Sequence, residues 1–173
     1  MSAVQESSVA QEFEAANQQY AAQFTKGDLP MPPGRKVAVV VCMDARIDPA
    51  KALGLEEGDA HVIRNAGGRA SDALRSLAIS QELLGTREVV VIHHTDCGML
   101  TFTNEDIRQK LGDTNGAEAG KAAQEIDFLP FPDIDLSVID DVAAIKASPL
   151  LRKDVPVTGF VYDVKTGRIK QVA

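Results

Sequence analysis

Two uninterrupted apolar runs, "VAVVV" at 37–41 and "VVVI" at 89–92, constrain this chain more than any other feature. Short runs of β-branched residues make buried strands, and a strand that is apolar at every position has both faces covered, as strands of parallel sheets do. Neither run ends in an ordinary turn. The first continues into "CMDAR" and the second into "HHTDCGM", so each core strand delivers a thiol and charged or imidazole groups at its carboxyl end.

The rest of the chain alternates helix and strand. Residues 9–25 carry Phe13, Ala16, Tyr20 and Phe24 at helical spacing, and "KGDLPMPPG" after them is a loop by its glycines and three prolines. "HVIRNAGG" predicts a short strand running into a Gly-rich turn. Ser71 or Asp72 would cap the next helix, whose Leu74, Leu77, Ala78, Leu83 and Leu84 lie on one side and which stops at Gly85. From Gly112 to Ser137 the composition is polar and Pro-punctuated, which predicts a long excursion with a helical turn or two around 117–125. A helix over 138–147 follows, and "VPVTGFVYDV" and "RIKQV", joined at "KTG", read as a closing hairpin-like pair of strands. This pattern predicts an α/β fold with a mainly parallel central sheet flanked by helices and preceded by an N-terminal helix. Residues 1–35 form a helical arm and loop and 36–173 an α/β domain, a single domain overall.

Composition limits the partners. With 173 residues, 45% of them hydrophobic, the chain can bury a core of its own. A formal charge of −7 and no clustered Lys and Arg argue against a nucleic-acid surface. No apolar run approaches the roughly 20 residues that span a bilayer, and the N-terminus lacks the basic start and apolar stretch of a signal peptide. The expectation is therefore a cytoplasmic protein with neither nucleic-acid nor membrane partners. In a reducing interior two cysteines serve metal binding or catalysis more naturally than a disulfide.

In open parallel sheets ligands gather at the carboxyl ends of the strands, near the point where strand order reverses. If the two apolar strands are neighbours, Cys42, Asp44, Arg46, His93 or His94, and Cys97 converge. Both cysteines and two of the three histidines then share one small region. Soft thiolates with an imidazole suit zinc, and three ligands rather than four leave a position open for water or substrate. Taken singly, each residue has an ordinary explanation: Cys42 as a small buried hydrophobe, Asp44 with Arg46 as a surface ion pair. Their joint placement at two strand ends favours a metal site. The turn "RNAGGRASD" has two readings, a strand-to-helix turn or a loop in which Asn65, Ala66 and Gly67 shape a small pocket while Gly68 permits the sharp bend.

"CMDAR", "VIRNAGG" and "HTDCGM" together resemble the β-class carbonic anhydrases, in register from about Lys36 to Thr103 and more loosely through "VTGFVYDVKTGRI". The resemblance implies that Cys42, His94 and Cys97 ligate one Zn2+ per chain and that Asp44 and Arg46 form the catalytic dyad, which decides between His93 and His94. It implies reversible hydration of CO2 to bicarbonate by a zinc-bound hydroxide. The alternatives are hydrolysis of carbonyl sulfide by the same hydroxide, since relatives specialise in that substrate, and a non-catalytic zinc or thiol redox domain. In some members the equivalent Asp swings onto zinc and closes the site; closed members often carry a Trp in a regulatory pocket, and this chain has none, which leans toward the open form. Members are dimers or larger, with an N-terminal helix reaching to the partner, so a homodimer or homotetramer is expected.

Overall fold

The computed structural model describes residues 8–173, which fall into two compact units, one ending at Pro30 and the other spanning Met31–Ala173. The first unit is built on helix α1 (Val9–Ala22), opened by a capping box in which Ser8 and Gln11 satisfy each other's backbone N–H groups. It ends three residues before the expected position. None of its residues is buried, and Phe13 and Tyr20 stand exposed.

The second unit is a five-stranded sheet of β1 (Val37–Cys42), β2 (Ala60–Asn65), β3 (Glu88–His94), β4 (Val157–Tyr162) and β5 (Ile169–Gln171). Spatial order is β2-β1-β3-β4-β5, parallel except for β5, which runs antiparallel to β4 as the hairpin reading requires. The chain moves from β1 out to β2 and then crosses back to place β3 on the other side of β1. Strand order thus reverses between β1 and β3, and their carboxyl ends border the crevice where such sheets bind ligands.

Side-chain alternation divides the core into two clusters. Ala38, Val40, Val89, Val91, Val157 and Val161 pack with Ala73 and Leu77 of α3 (Ala70–Glu82) and with Val138, Val142 and Ile145 of α6 (Ile134–Ala147). Gly159 of β4 permits that approach, because a Cβ there would run into Val138 and Val142. On the other face Val37, Val39, Val41 and Ile92 join Ile47, Met99 and Phe131, with Leu53 of the short α2 (Pro49–Leu53) packed against them. The two-sided covering is what the unbroken apolar runs demand.

Several local features of the second unit also depart from the sequence expectations. Helix α5 (Ala117–Gln124) falls where a helical turn or two was expected, but it pairs with α4 (Asn104–Asn115), a helix not expected from the sequence; α4 buries no residue and α5 only Ala123. Apolar periodicity could not reveal it. The pair is held by a Thr103–Asp106 capping box, by Arg108 donating to the carbonyls of Ala123 and Ile126, and by backbone contact between Gly112 and Gly120. Helix α6 begins at Ile134, four residues early, because Asp133 caps it by accepting from Leu136 N–H. Leu83 lies past the end of α3 and is exposed. Finally, neither Ser71 nor Asp72 caps α3; both lie inside it, and the Ala70 N–H instead donates to Asp141 of α6 at 3.0 Å. No helix among the described residues is long and apolar enough to cross a membrane.

Candidate metal centre

Cys42 is the last residue of β1, and the chain then turns sharply so that Asp44 and Arg46 come back to one another. The Asp44 carboxylate accepts from Arg46 on both oxygens, Oδ1 from Nε at 2.9 Å and Oδ2 from Nη2 at 2.8 Å, a planar fork on a planar acceptor. The Arg46 backbone N–H also donates to Oδ1, at 2.9 Å. On its far side Arg46 donates to Asp96, through Nη1 to Oδ2 at 2.7 Å and through Nη2 to the carbonyl at 2.9 Å. Arg64 of β2 clamps the turn from behind, donating to the carbonyls of Cys42 and Asp44 at 3.0 and 2.7 Å.

At the end of β3, His94 is fully buried and its Nδ1 lies 2.9 Å from the Thr95 carbonyl. A carbonyl only accepts, so Nδ1 carries the proton and Nε2 presents a lone pair. That Nε2 has no hydrogen-bond partner among the described residues. It faces the two thiols: the ligand atoms of Cys42, His94 and Cys97 all lie within 4.8 Å of one another, and the three residues are buried. Both cysteines are free. A buried imidazole lone pair aimed at two sulfur atoms is a donor set that fits a soft or borderline metal ion. Asp44 Oδ2 stands 3.8 Å from Nε2, beside the cluster and engaged with Arg46.

The electrostatics follow the geometry. The Cys42 thiol is pushed down to about 4, first by its hydrogen bond with Cys97, against burial, and further by His94 and the backbone amides of Asp44 and Gly67. Cys97 is driven up by the same bond to Cys42 and by burial. One thiolate thus shares a proton with its neighbour, a state that metal binding would replace. The Arg46 guanidinium holds the Asp44 carboxyl well below the usual carboxylate range, and Asp96 is lowered by the same guanidinium. Arg46 itself is raised, chiefly by Asp44 and then by Asp96.

A cavity of about 300 Å³ opens over the cluster, bounded by Cys42, Asp44, Ala66, Gly67, Cys97, Gly98 and the apolar side chains of Met43, Met99 and Phe102. Of the expected pocket residues, Ala66 and Gly67 reach it. Asn65 does not line it; its side chain straps the turn, donating to the Arg69 carbonyl at 2.9 Å and accepting from the Arg69 N–H at 2.6 Å. His93 points away from the Cys42–His94–Cys97 cluster into a separate polar cluster with Ser137, Asp141 and the Gly68 carbonyl. Arg64, Met99, Phe102 and Asp141 went unseen in the sequence. For Met99 the signal was present, since it sits in "CGM", two residues after Cys97.

The carbonic anhydrase family model matches residues 37–169, which includes the four parallel strands and the whole centre. β-Carbonic anhydrase 1 of Mycobacterium tuberculosis is 46% identical over 165 residues, covering 95% of this chain and 98% of that protein. A carbon disulfide hydrolase of Acidianus is 35% identical, covering 88% of this chain and 83% of that protein. The solved structure of a carbonic anhydrase from Glaciozyma antarctica superposes with a TM-score of 0.89 at 52% identity over the full length of both chains. With its parallel sheet, its Cys-His-Cys cluster and these likenesses, the chain belongs to the β-carbonic anhydrase family.

Proposed function

We propose that this protein catalyses the reversible hydration of carbon dioxide to bicarbonate and a proton, with one Zn2+ held by Cys42, His94 and Cys97. The observation that carries the reading is the buried His94 Nε2, unpartnered among the described residues and facing two thiols, beside a carboxylate already committed to an arginine. Bound by these three residues, zinc would acidify a water molecule and so supply a nucleophile near neutral pH.

The protein's own groups do the rest. Asp44, kept ionised by Arg46, can only accept, so it takes a hydrogen bond from the attacking water and turns that water's lone pair toward the cavity. Arg46 prevents Asp44 from rotating onto the metal position, since both carboxylate oxygens are occupied. Met99, Phe102 and Ala66 give the cavity apolar walls, which suit a small uncharged linear substrate and offer the anionic product no countercharge. A merely structural metal or redox thiol pair would have no use for an oriented carboxylate beside it.

A second reading, hydrolysis of carbonyl sulfide to carbon dioxide and hydrogen sulfide, draws on the likeness to a carbon disulfide hydrolase and on the same apolar walls. The test is kcat/KM for both substrates on one zinc-replete preparation at one pH, with zinc content measured alongside. A large preference for carbon dioxide supports the first reading. Efficient carbonyl sulfide turnover with weak hydration overturns it and leaves the site assignment standing.

Homodimeric or homotetrameric assembly belongs to the same proposal. Its support is apolar surface in each unit: the exposed Phe13 on α1, and a cleft of about 230 Å³ on the sheet lined by the half-buried Leu53, Leu55, Val90 and Phe160.

A further inference from the structure

Asp141 lies within α6, is 4% exposed, and belongs to neither the ligands nor the dyad. A buried carboxylate persists only where partners replace its hydration. Its partners all lead to one place. Oδ2 accepts from the Ala70 N–H at 3.0 Å and lies 3.2 Å from His93 Nε2, while Oδ1 lies 3.1 Å from Arg69 Nη2. His93 Nε2 also lies 3.2 Å from the Gly68 carbonyl; facing only acceptors, it carries the proton and ties that carbonyl to Asp141. Phe131 is stacked on the His93 ring, centroids 5.3 Å apart, and the Arg69 guanidinium lies 5.3 Å from the Phe131 centroid.

The turn that these bonds grip, Asn65–Ala70, is wedged between the strand ends and the cavity. A Cβ on Gly68 would come within 2.9 Å of both Cys42 N and Ile92 O, and a Cβ on Gly67 within 2.9 Å of Met99 Cγ. The turn therefore packs so closely on the end of β1 and on Met99 that neither glycine has room for a side chain.

We propose that Asp141 is a positioning residue for the metal centre: from α6 it seats the Asn65–Ala70 turn on the end of β1, fixing the Gly67 amide beside the Cys42 sulfur and the Gly67–Met99 wall of the cavity. The inference rests on the zinc reading above. An amide directed at a metal-binding thiolate withdraws electron density from it, so a loosened turn leaves Cys42 a stronger donor in a less ordered site.

The test uses the full chain with Asp141→Asn and Asp141→Ala, and with Gln81→Met as a control that removes a buried polar side chain, hydrogen-bonded to Arg152 N–H, away from the turn. Zinc affinity is measured by chelator competition, the sulfur-to-cobalt absorption band on the cobalt-loaded protein, and kcat, KM and Tm on each. In Asp141→Asn, zinc affinity is expected to fall about ten- to a hundredfold, as for other groups that orient metal ligands, and the band to move to longer wavelength. Gln81→Met is expected to lower Tm with affinity and band unchanged. If the Asp141 variants lose Tm alone, the inference is overturned. Should Asp141→Ala not fold, Asp141→Asn and Arg69→Met, the latter at a partly exposed position, decide by the same readouts. A wild type that takes up neither zinc nor cobalt overturns the zinc reading and this inference with it, whereas variants that bind both ions like the wild type overturn this inference alone.

Discussion

His93 and His94 are adjacent on β3 and equally buried, yet their surroundings could hardly differ more. His93 has every ring nitrogen engaged, by Ser137 on one side and by Asp141 and the Gly68 carbonyl on the other. His94 has one nitrogen engaged and one bare, directed at two sulfur atoms. Burying a polar atom without a partner is unfavourable, so a protein that does it beside two thiols lining a cavity has reserved that atom for something else. On the zinc reading proposed above, the fully satisfied neighbour is architecture and the unsatisfied one is a ligand.

Exchanging the two histidines' fates is the strongest way to break this contrast. His94→Ala is expected to reduce zinc from about one per chain to near none and turnover to background while the fold persists, as read by metal analysis and circular dichroism. His93→Phe should keep the metal and cost about 1–3 kcal/mol of stability, because Asp141 and Ser137 lose a buried partner. If His93→Phe empties the site as fully as His94→Ala, the division between architecture and chemistry fails.

Asp44→Asn separates holding the metal from using it. Zinc content should be unchanged while kcat/KM falls by roughly 10²–10⁴, the usual worth of a group that handles a proton in the transition state. Intact turnover would remove Asp44 from the reaction.

Gly68→Ala addresses the architectural side. The backbone is at φ +68° and the new methyl would meet Cys42 N and Ile92 O at 2.9 Å, so a loss of about 1–3 kcal/mol is expected in chemical denaturation. Because the strain falls on the Cys42 backbone, zinc affinity should drop with it.

A smaller and pH-dependent effect concerns the metal-free protein. Cys42's folded value, about 4, lies below its ordinary 9.0, so its thiolate contributes stability that is fully present above about pH 9 and is lost as pH falls toward 4. Alkylation followed by mass spectrometry should find one cysteine, Cys42, still reactive below pH 7, and zinc should protect it. Two cysteines reacting alike, with ordinary pH dependence, would contradict the shared proton.

The smallest effect is expected at Asp96, whose side chain is 73% exposed. Asp96→Asn removes a solvent-screened pair with Arg46 and leaves the fork on Asp44 intact, so kcat/KM should change by less than about threefold. A large loss would move Asp96 from the rim of the site into its machinery.

Much of this was legible in the residues themselves. The unbroken apolar runs specified parallel strands covered on both sides, and the residue types at their ends specified a soft-metal donor set, because strand burial and ligand chemistry are local properties of a few consecutive side chains. Helix α4 was not legible, since it buries nothing and owes its order to caps and to Arg108. Nor was the start of α6, where Asp133 could as well have belonged to a loop.

Spacing alone left His93 and His94 tied, and resemblance chose between them. Tertiary structure gives the physical reason: alternation along β3 sends one toward α6 and the other toward Cys42 and Cys97, and only assembled neighbours decide which nitrogen finds a partner. The cap of α3 shows the same limit. Ser71 and Asp72 had the right chemistry at nearly the right place, but the carboxylate that meets Ala70 N–H comes from a residue 71 positions away. Sequence determined which groups were available and on which strands; the packing of α6 on the sheet decided which of them would be satisfied and which left free to bind.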